Sequence, residues 1–474
     1  MSDAAKLYAN KGDLTNGSVS CHLIRLSVPM IWGIAAIISF QLVDTYFVSL
    51  LGTESLAALS FTFPVNYFIF SFTVGFGIAM SSVVSRLIGA EEEDTLKRVV
   101  THGLILSFVV GCVIAMLGII FHDLIFTAMG ADSDMLSMVR EYMIIWFAGS
   151  VFVTLPLVGN AAIRATGDSL TPALIMGVAA GVNVVLDPLL IFGLYGFPRL
   201  ELYGAAIATV IANMIAALTG LYVIFIHKNI ACSFRDLRLN LLRNSAKRLL
   251  FIALPIGAVN SLMPLVNAVI ISFLSVHGAE AVAGFGIVHR IEAFAFITLM
   301  AVSVGMAPII GQNWGAQKFD RVNETLKLAI GFNVLWSICV AIILFVFARP
   351  IAGMFSEDPL VVETVVLFFL IVPPSYAFGN LIKGWSSAFN AIGMPQHSVI
   401  MIIGELVFFM LPATYLGHMV DGVRGVFIAI ATVNVVAGIG FHLWCRHRCL
   451  RCEKNVKDTQ KTMLSDSVIK PNEA

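Results

Sequence analysis

Twelve long, predominantly apolar stretches divide the chain, at 23–51, 58–86, 99–122, 138–162, 170–193, 203–227, 247–276, 282–311, 325–348, 362–389, 398–417 and 425–445. About twenty apolar residues cross a bilayer as a helix. The breaks between stretches carry turn or charge signals: Leu51-Gly52-Thr53, the acidic run Glu91 to Asp94, Ala165-Thr166-Gly167-Asp168 and Ala391-Ile392-Gly393. Backbone polar groups in lipid must be satisfied within the protein. The alternation of a β-barrel is absent, so every span is predicted to be helical.

Composition agrees with this pattern. Of 474 residues, 58% are hydrophobic and 12% charged, against about 25% charged in soluble domains; the mean hydropathy is +0.91. So few charges cannot cover a water-facing surface, which excludes a soluble enzyme. The 29 basic and 29 acidic residues cancel, leaving no positive field to hold a nucleic acid. The polar first twenty residues hold no apolar signal core, so the first span is expected to be the insertion signal. Of the 29 Lys and Arg residues, 23 fall in the termini and the even-numbered loops. Five fall on the other side (Arg140, Arg199, Arg290, Arg349 and Arg424), and Lys383 lies inside span 10. This asymmetry predicts a multi-pass plasma (bacterial inner) membrane protein with both termini cytoplasmic.

The chain also repeats itself. A shift of 226 residues sets Pro29 on Pro255, Gly52 on Gly278, Glu54 on Glu280, Gly89-Ala90 on Gly315-Ala316, Asp94 on Asp320 and Gly167 on Gly393. A duplicated six-span unit enters the membrane from the same side in both copies, giving parallel repeats, a transporter signature. The predicted organisation is a tail (1–22), an N-lobe (23–227), an interlobe loop (228–246), a C-lobe (247–445) and a second tail (446–474).

Ionisable residues inside a bilayer are costly, about 2.5–3.5 kcal/mol on insertion scales, and are functional candidates by default. Asp44 lies late in span 1. Asp187 lies in span 5, one helical turn after Asn183 and just before Pro188. The shift sets Ile270 opposite Asp44, and the aligned Leu411-Pro412-Ala413-Thr414 segment sets Leu411 opposite Asp187, so only the N-lobe carries the acids. A buried carboxylate resists ionisation, more so beside a second carboxylate. A pair facing one cavity is therefore suited to take up a proton, or to share Na+ with Asn183 and other oxygen ligands. In the C-lobe, Glu292 of span 8 and Lys383 of span 10 are expected to form a charge pair, structural or transport-related; Glu405 stays unassigned. Pro29, four turns before Asp44, is a candidate bend, with Pro64, Pro255 and Pro264 as further punctuation. The seven cysteines are scattered, and Cys445, Cys449 and Cys452 near His442 and His447 lack the spacing of a metal knuckle. No ATP-binding loop, H-E-x-x-H or G-x-S-x-G is present, so neither an ATP-driven pump nor an enzyme is indicated.

In order along the duplicated chain, several segments resemble the multidrug and toxic compound extrusion (MATE) transporters. They are Asp44-Thr45-Tyr46-Phe47-Val48, Arg164-Ala165-Thr166-Gly167-Asp168, Asn183 to Asp187-Pro188, Gly204 to Thr209, and Arg290-Ile291-Glu292. Asn183, Asp187 and the Arg-Ile-Glu segment resemble the DinF-like branch. The resemblance implies an all-α membrane protein of twelve transmembrane helices, in two parallel-related six-helix lobes around a central cavity. It implies antiport of H+ or Na+ against organic, mainly cationic, compounds by alternating access, without a cofactor or metal, by a monomer. It places ion coupling at Asp44, Asp187, Asn183 and Thr209. Phe40 stands where the family often has a tyrosine, and Asn260, Asn267 and Asn380 stand where other branches have C-lobe acids. A lipid-linked oligosaccharide flippase is the alternative, disfavoured because only Arg290 and Lys383 offer charge to a phosphate. An intramembrane aspartyl protease is remote, since neither acid has a Tyr-Asp or Gly-x-Gly-Asp context.

Overall fold

The computed structural model describes residues 13–232 and 238–468, with side chains described as far as His447. Every regular element among them is helical. Spans 1 to 3 are single helices, Val19–Ser49, Thr53–Gly89 and Glu93–Ile120. Span 4 has two pieces, Ser133–Ala148 and Ser150–Ala165, bent by 46°. Span 5 is Leu170–Phe192; span 6 is Glu201–Tyr222 with a π turn at Val223–His227. Span 7 joins Leu239–Asn260 to Leu262–Ser275, and span 8 joins Ala279–Ala295 to Ile297–Gly315 with a 44° bend. Span 9 is Phe319–Val346, and span 10 joins Pro359–Ile371 to Tyr376–Ala391. Span 11 runs from Pro395–Ile403 through the π segment Gly404–Met410. The last helix, Leu411–Val468, is broken at Asp421 and Gly422, where span 12 begins.

The helices extend past the apolar runs, because polar residues at the membrane surface continue them. The last helix runs furthest, from the expected end of span 12 at 445 to Val468, and span 7 starts at Leu239, within the expected interlobe loop, where its Ser245 hydroxyl meets His102 Nδ1 at 2.9 Å. Helical hydrogen bonding continues past most of the prolines singled out. Spans 1, 2 and 7 run unbroken through Pro29, Pro64 and Pro255. Of the four prolines singled out, Pro264 alone adjoins a break, since its ring conflicts with the carbonyl four residues earlier, at Asn260, where the first piece of span 7 ends.

The repeat is visible in the backbone. Left-handed residues recur 226 positions apart: Gly52 and Gly278, Glu91 and Gln317, Gly167 and Gly393. Two short helices the apolar pattern did not reveal, His122–Ala128 and Ala348–Gly353, begin at the same spacing. The fold is two six-helix lobes around a central cavity. Each lobe lends its first helix to the other. Leu14, Val19, Leu23 and Leu26, leading into and along span 1, belong to the C-lobe core. Leu249, Ile252, Ala253 and Ile256 of span 7 belong to the N-lobe core.

Within lipid there is little hydrophobic drive between helices, so close packing rests on small residues. A Cβ on Gly75 would lie 2.9 Å from the Gly257 nitrogen, and one on Gly305 would lie 2.6 Å from Ser27 Oγ. Polar contacts join the lobes at the same end. Gln312 Nε2 donates to the Ala165 carbonyl at 2.8 Å, and Ser82 Oγ to the Ala391 carbonyl at 3.2 Å. The segment before span 1 is strapped to the C-lobe. Arg321 donates to the Gly17 and Leu14 carbonyls at 2.7 and 3.1 Å, and Lys318 Nζ donates to the Thr15 carbonyl at 2.9 Å.

Candidate ion-coupling site in the N-lobe

Two glycines bring the candidate residues together. Gly33 lets span 1 lie against span 5, where a Cβ would sit 3.2 Å from Ala173 Cα. Gly204 lets span 6 lie against span 5, where a Cβ would sit 2.6 Å from the Leu190 carbonyl. Eleven residues beyond Gly33 is Asp44, and fourteen beyond Ala173 is Asp187. At 1.5 Å per residue these are rises of about 17 and 21 Å, so parallel helices carry the two acids to a similar depth.

Asp187 and Asn183 are fully buried, on one face of span 5. Asn183 Nδ2 donates to Asp187 Oδ1 and to Thr209 Oγ1 of span 6, each at 3.3 Å. Asp44 is half-buried, and its carboxylate acts electrostatically on Asp187. Tyr142 of span 4, 4% exposed, lies within electrostatic reach of both acids. The sequence reading missed this tyrosine; its signal was a single phenol in an apolar span. It gives the site a hydroxyl from span 4 where span 1 has Phe40.

The hydrogen bonding is lopsided. Asp44 Oδ1, Asp187 Oδ2 and Asn183 Oδ1 are sealed from solvent and accept no hydrogen bond. All three are acceptors. Pro188 has no N–H, so the Val184 carbonyl loses its intrahelical donor as well. A buried polar atom left unpaired costs about 1–3 kcal/mol. What relieves several crowded acceptors is a donor or a cation: a proton on a carboxylate, or a hard ion that takes oxygen ligands.

The C-lobe charges are arranged differently from the expected Glu292–Lys383 pair. Glu292 accepts from the Tyr376 hydroxyl at 2.6 Å, and His289 Nδ1 lies 3.1 Å from its other oxygen. Lys383 instead holds its ammonium 5.0 Å from the centre of the Phe296 ring and interacts electrostatically with Glu405. A tyrosine from span 10 and a histidine one turn away on span 8 partner the acid, which charge counting overlooks. Cys445 is buried, with its thiol 3.0 Å from Met401 Sδ; the side chains of Cys449 and Cys452 lie outside the described residues.

A family model described as MatE matches residues 29–189 and 255–416, one segment per lobe. The chain is 37% identical over 438 residues to a protein named FAD transporter from Shewanella oneidensis, covering 92% of this chain and 96% of that one. It is 31% identical over 337 residues to a probable multidrug resistance protein, YoeA, from Bacillus subtilis, covering 70% and 72% of the two chains. Its fold matches the Vibrio cholerae MATE transporter VcmN in the bent form with a TM-score of 0.86 at 28% identity, over 92% of this chain and 98% of that one. With both lobes matched and the whole fold shared, the chain belongs to the MATE family of membrane transporters.

Proposed function

We propose that this transporter is a secondary exporter that exchanges H+ or Na+ for an organic compound, with Asp44, Asp187, Asn183 and Thr209 as the coupling site and Tyr142 beside them. The observation that carries the reading is the group of sealed acceptors, Asp44 Oδ1, Asp187 Oδ2 and Asn183 Oδ1, with no donor. An ion moves a conformational equilibrium only by binding one state better than the other. Contacts between the lobes lie near the N-terminal strap, and the positive-inside asymmetry supports a cytoplasmic position for that end. The coupling ion then enters from the opposite face, discharges the N-lobe acids, and an organic cation leaves by the same opening. Span 1, carrying Asp44 and Pro29, is the element whose bend or tilt answers that discharge. The transporter works as a monomer in the cytoplasmic membrane.

The test is dye movement in proteoliposomes under an imposed proton or sodium gradient, applied separately, using ethidium. Gradient-driven movement in wild type that falls about tenfold or more in Asp44→Asn and in Asp187→Asn supports the reading; that is at least about 1.4 kcal/mol of coupling. Equal movement in both variants defeats it.

A second substrate reading is an aromatic dinucleotide such as FAD. The name of the Shewanella relative raises it. Lys383, which makes no salt bridge among the described residues and rests on Phe296, favours it. A lysine ammonium can meet a phosphate as a point charge, and the neighbouring aromatic ring can stack on a flat heterocycle. Replacing ethidium by FAD in the same vesicles, with Lys383→Met beside wild type, separates the two substrates.

A further inference from the structure

On the C-lobe, at the end away from the strap, span 7 finishes at Ser275 and the chain turns through an exposed His277 into Gly278. Its ring nitrogen Nε2 lies 2.8 Å from Nδ1 of His418 on the last turns of span 11. Both rings are held in place. His418 stacks on Phe273 with centroids 5.6 Å apart and planes 10° apart, and Tyr415 meets the same Phe273 at 5.7 Å. The His277 ring lies against the turn that separates spans 11 and 12. A Cβ on Gly422 would be 3.2 Å from His277 Cε1, and Gly422 has φ +57° and ψ −133°, a conformation suited to glycine.

The N-lobe shows that the fold itself does not require these imidazoles. The repeat sets Leu51 opposite His277 and Phe47 opposite Phe273. Phe47 there meets Phe192 edge-on at 6.1 Å. Both lobes keep an aromatic contact at this rim; the C-lobe adds two facing ring nitrogens.

We propose that His277 and His418 form a binding site for a borderline divalent transition-metal cation of the Zn2+, Ni2+ or Cu2+ class, with water completing its coordination. Neutral imidazole is a preferred ligand of these ions. One of the two facing nitrogens now carries the shared hydrogen. Moving that proton to the other nitrogen of its own ring leaves two lone pairs pointing at one place. Zinc–nitrogen bonds of 2.0–2.1 Å at a tetrahedral angle need the nitrogens about 3.3 Å apart, so the rings part by about half an ångström. No third His, Cys, Asp or Glu joins them among the described residues. The neighbouring Asp421 is engaged by Arg424 at 3.8 Å. Two protein ligands and open water positions make this a reversible site, unlike a closed four-ligand structural zinc centre. An occupied site ties the end of span 7 to span 11.

The experiment uses the full-length protein in detergent, without a histidine tag, titrated with ZnCl2 and with NiCl2. Bound metal is read by calorimetry and the unfolding midpoint by thermal melting. Wild type is expected to take up one equivalent of metal saturably and to melt higher with it. His277→Gln and His418→Gln are expected to lose that equivalent and that rise. A double variant, His277→Leu with His418→Phe, copies the apolar character of the N-lobe rim; it provides a folded comparison if either glutamine variant fails to fold. Equal uptake in wild type and the variants, or no saturable uptake in wild type, overturns the proposal, leaving the pair as a hydrogen bond between two helices.

Discussion

Gly89 and Gly315, equivalent residues of the two halves, each face the other half's backbone. A Cβ on Gly89 would be driven into the Gln312 carbonyl and to within 2.9 Å of the Ala316 nitrogen. One on Gly315 would meet the Arg86 carbonyl and come within 3.1 Å of the Ala90 nitrogen. The pseudo-two-fold axis therefore passes between them, and the lobes close on it backbone to backbone. Gly89→Ala and Gly315→Ala are each expected to cost about 1–3 kcal/mol, the usual penalty of overpacking. Gly177→Ala is the control, because a Cβ there has open space; it gains up to about 1 kcal/mol in helix propensity. Thermal melting of the three variants checks this, and equal midpoints would rule out the close approach.

The coupling site implies a trade between stability and activity. In Asp187→Asn, Oδ1 can still accept from Asn183, and the new amide brings donors among Asn183 Oδ1 and Asp44 Oδ1, both now unpaired. The variant is expected to melt higher than wild type, by about 1–2 kcal/mol for the hydrogen bonds gained, while losing gradient-driven transport. Tyr142→Phe removes a hydroxyl beside both acids and is expected to weaken transport with little change in the melt. An Asp187→Asn protein that melts lower than wild type would mean that the acid is structural.

The strap before span 1 must release for the lobes to part at that end. Arg321 donates to three backbone carbonyls of the segment, those of Leu14, Asn16 and Gly17, and, through Nε, to Asn313 Oδ1 at 2.9 Å. Arg321→Ala is expected to remove about 2 kcal/mol of closure, the scale of hydrogen bonds to a charged group. A cysteine reporter at Ser82, which closes on the Ala391 carbonyl, should then react faster with a water-soluble maleimide. An unchanged labelling rate would argue that the strap is only a tether.

The span count, the repeat and the pairing of Asp187 with Asn183 were legible because each leaves a regular trace: length in lipid, a fixed offset, and a spacing of four on a helix. Thr209 was reachable only by resemblance, since its place depends on how closely Gly204 lets span 6 approach span 5. Tyr142 and the partners of Glu292 were not legible. Tyr376 reaches Glu292 from 84 positions away, and no local pattern announces which of several polar groups in a lobe will meet. The broken spans were equally hidden. Span 7 breaks and span 1 does not, although Pro29 and Pro255 are equivalent, because Pro264 has no counterpart in span 1: position 38 is isoleucine.

The turn between spans 4 and 5 makes a pH-dependent contribution to stability. Asp168 accepts from the Thr171 backbone N–H at 3.0 Å and the Thr171 hydroxyl at 2.7 Å, and pairs with Lys228 of the stretch after span 6 at 2.9 Å. Burial pushes its carboxyl upward, but the bonds from Thr171 and Lys228 and the charge of Lys228 outweigh it, and the group is held below its ordinary value of 3.8. A folded value below the unfolded one means that the ionised form stabilises the native state. That contribution is complete above the ordinary carboxylate range and disappears as pH falls through the folded value. Asp168→Asn is therefore expected to melt lower than wild type at pH 7, by about 1–2 kcal/mol for charge-assisted bonds at a mostly buried site. The difference should hold to pH 5 and close as pH falls below 3.8. Melting curves of both proteins across that range decide the matter: a gap that stays constant into acid would assign the loss to shape rather than to charge.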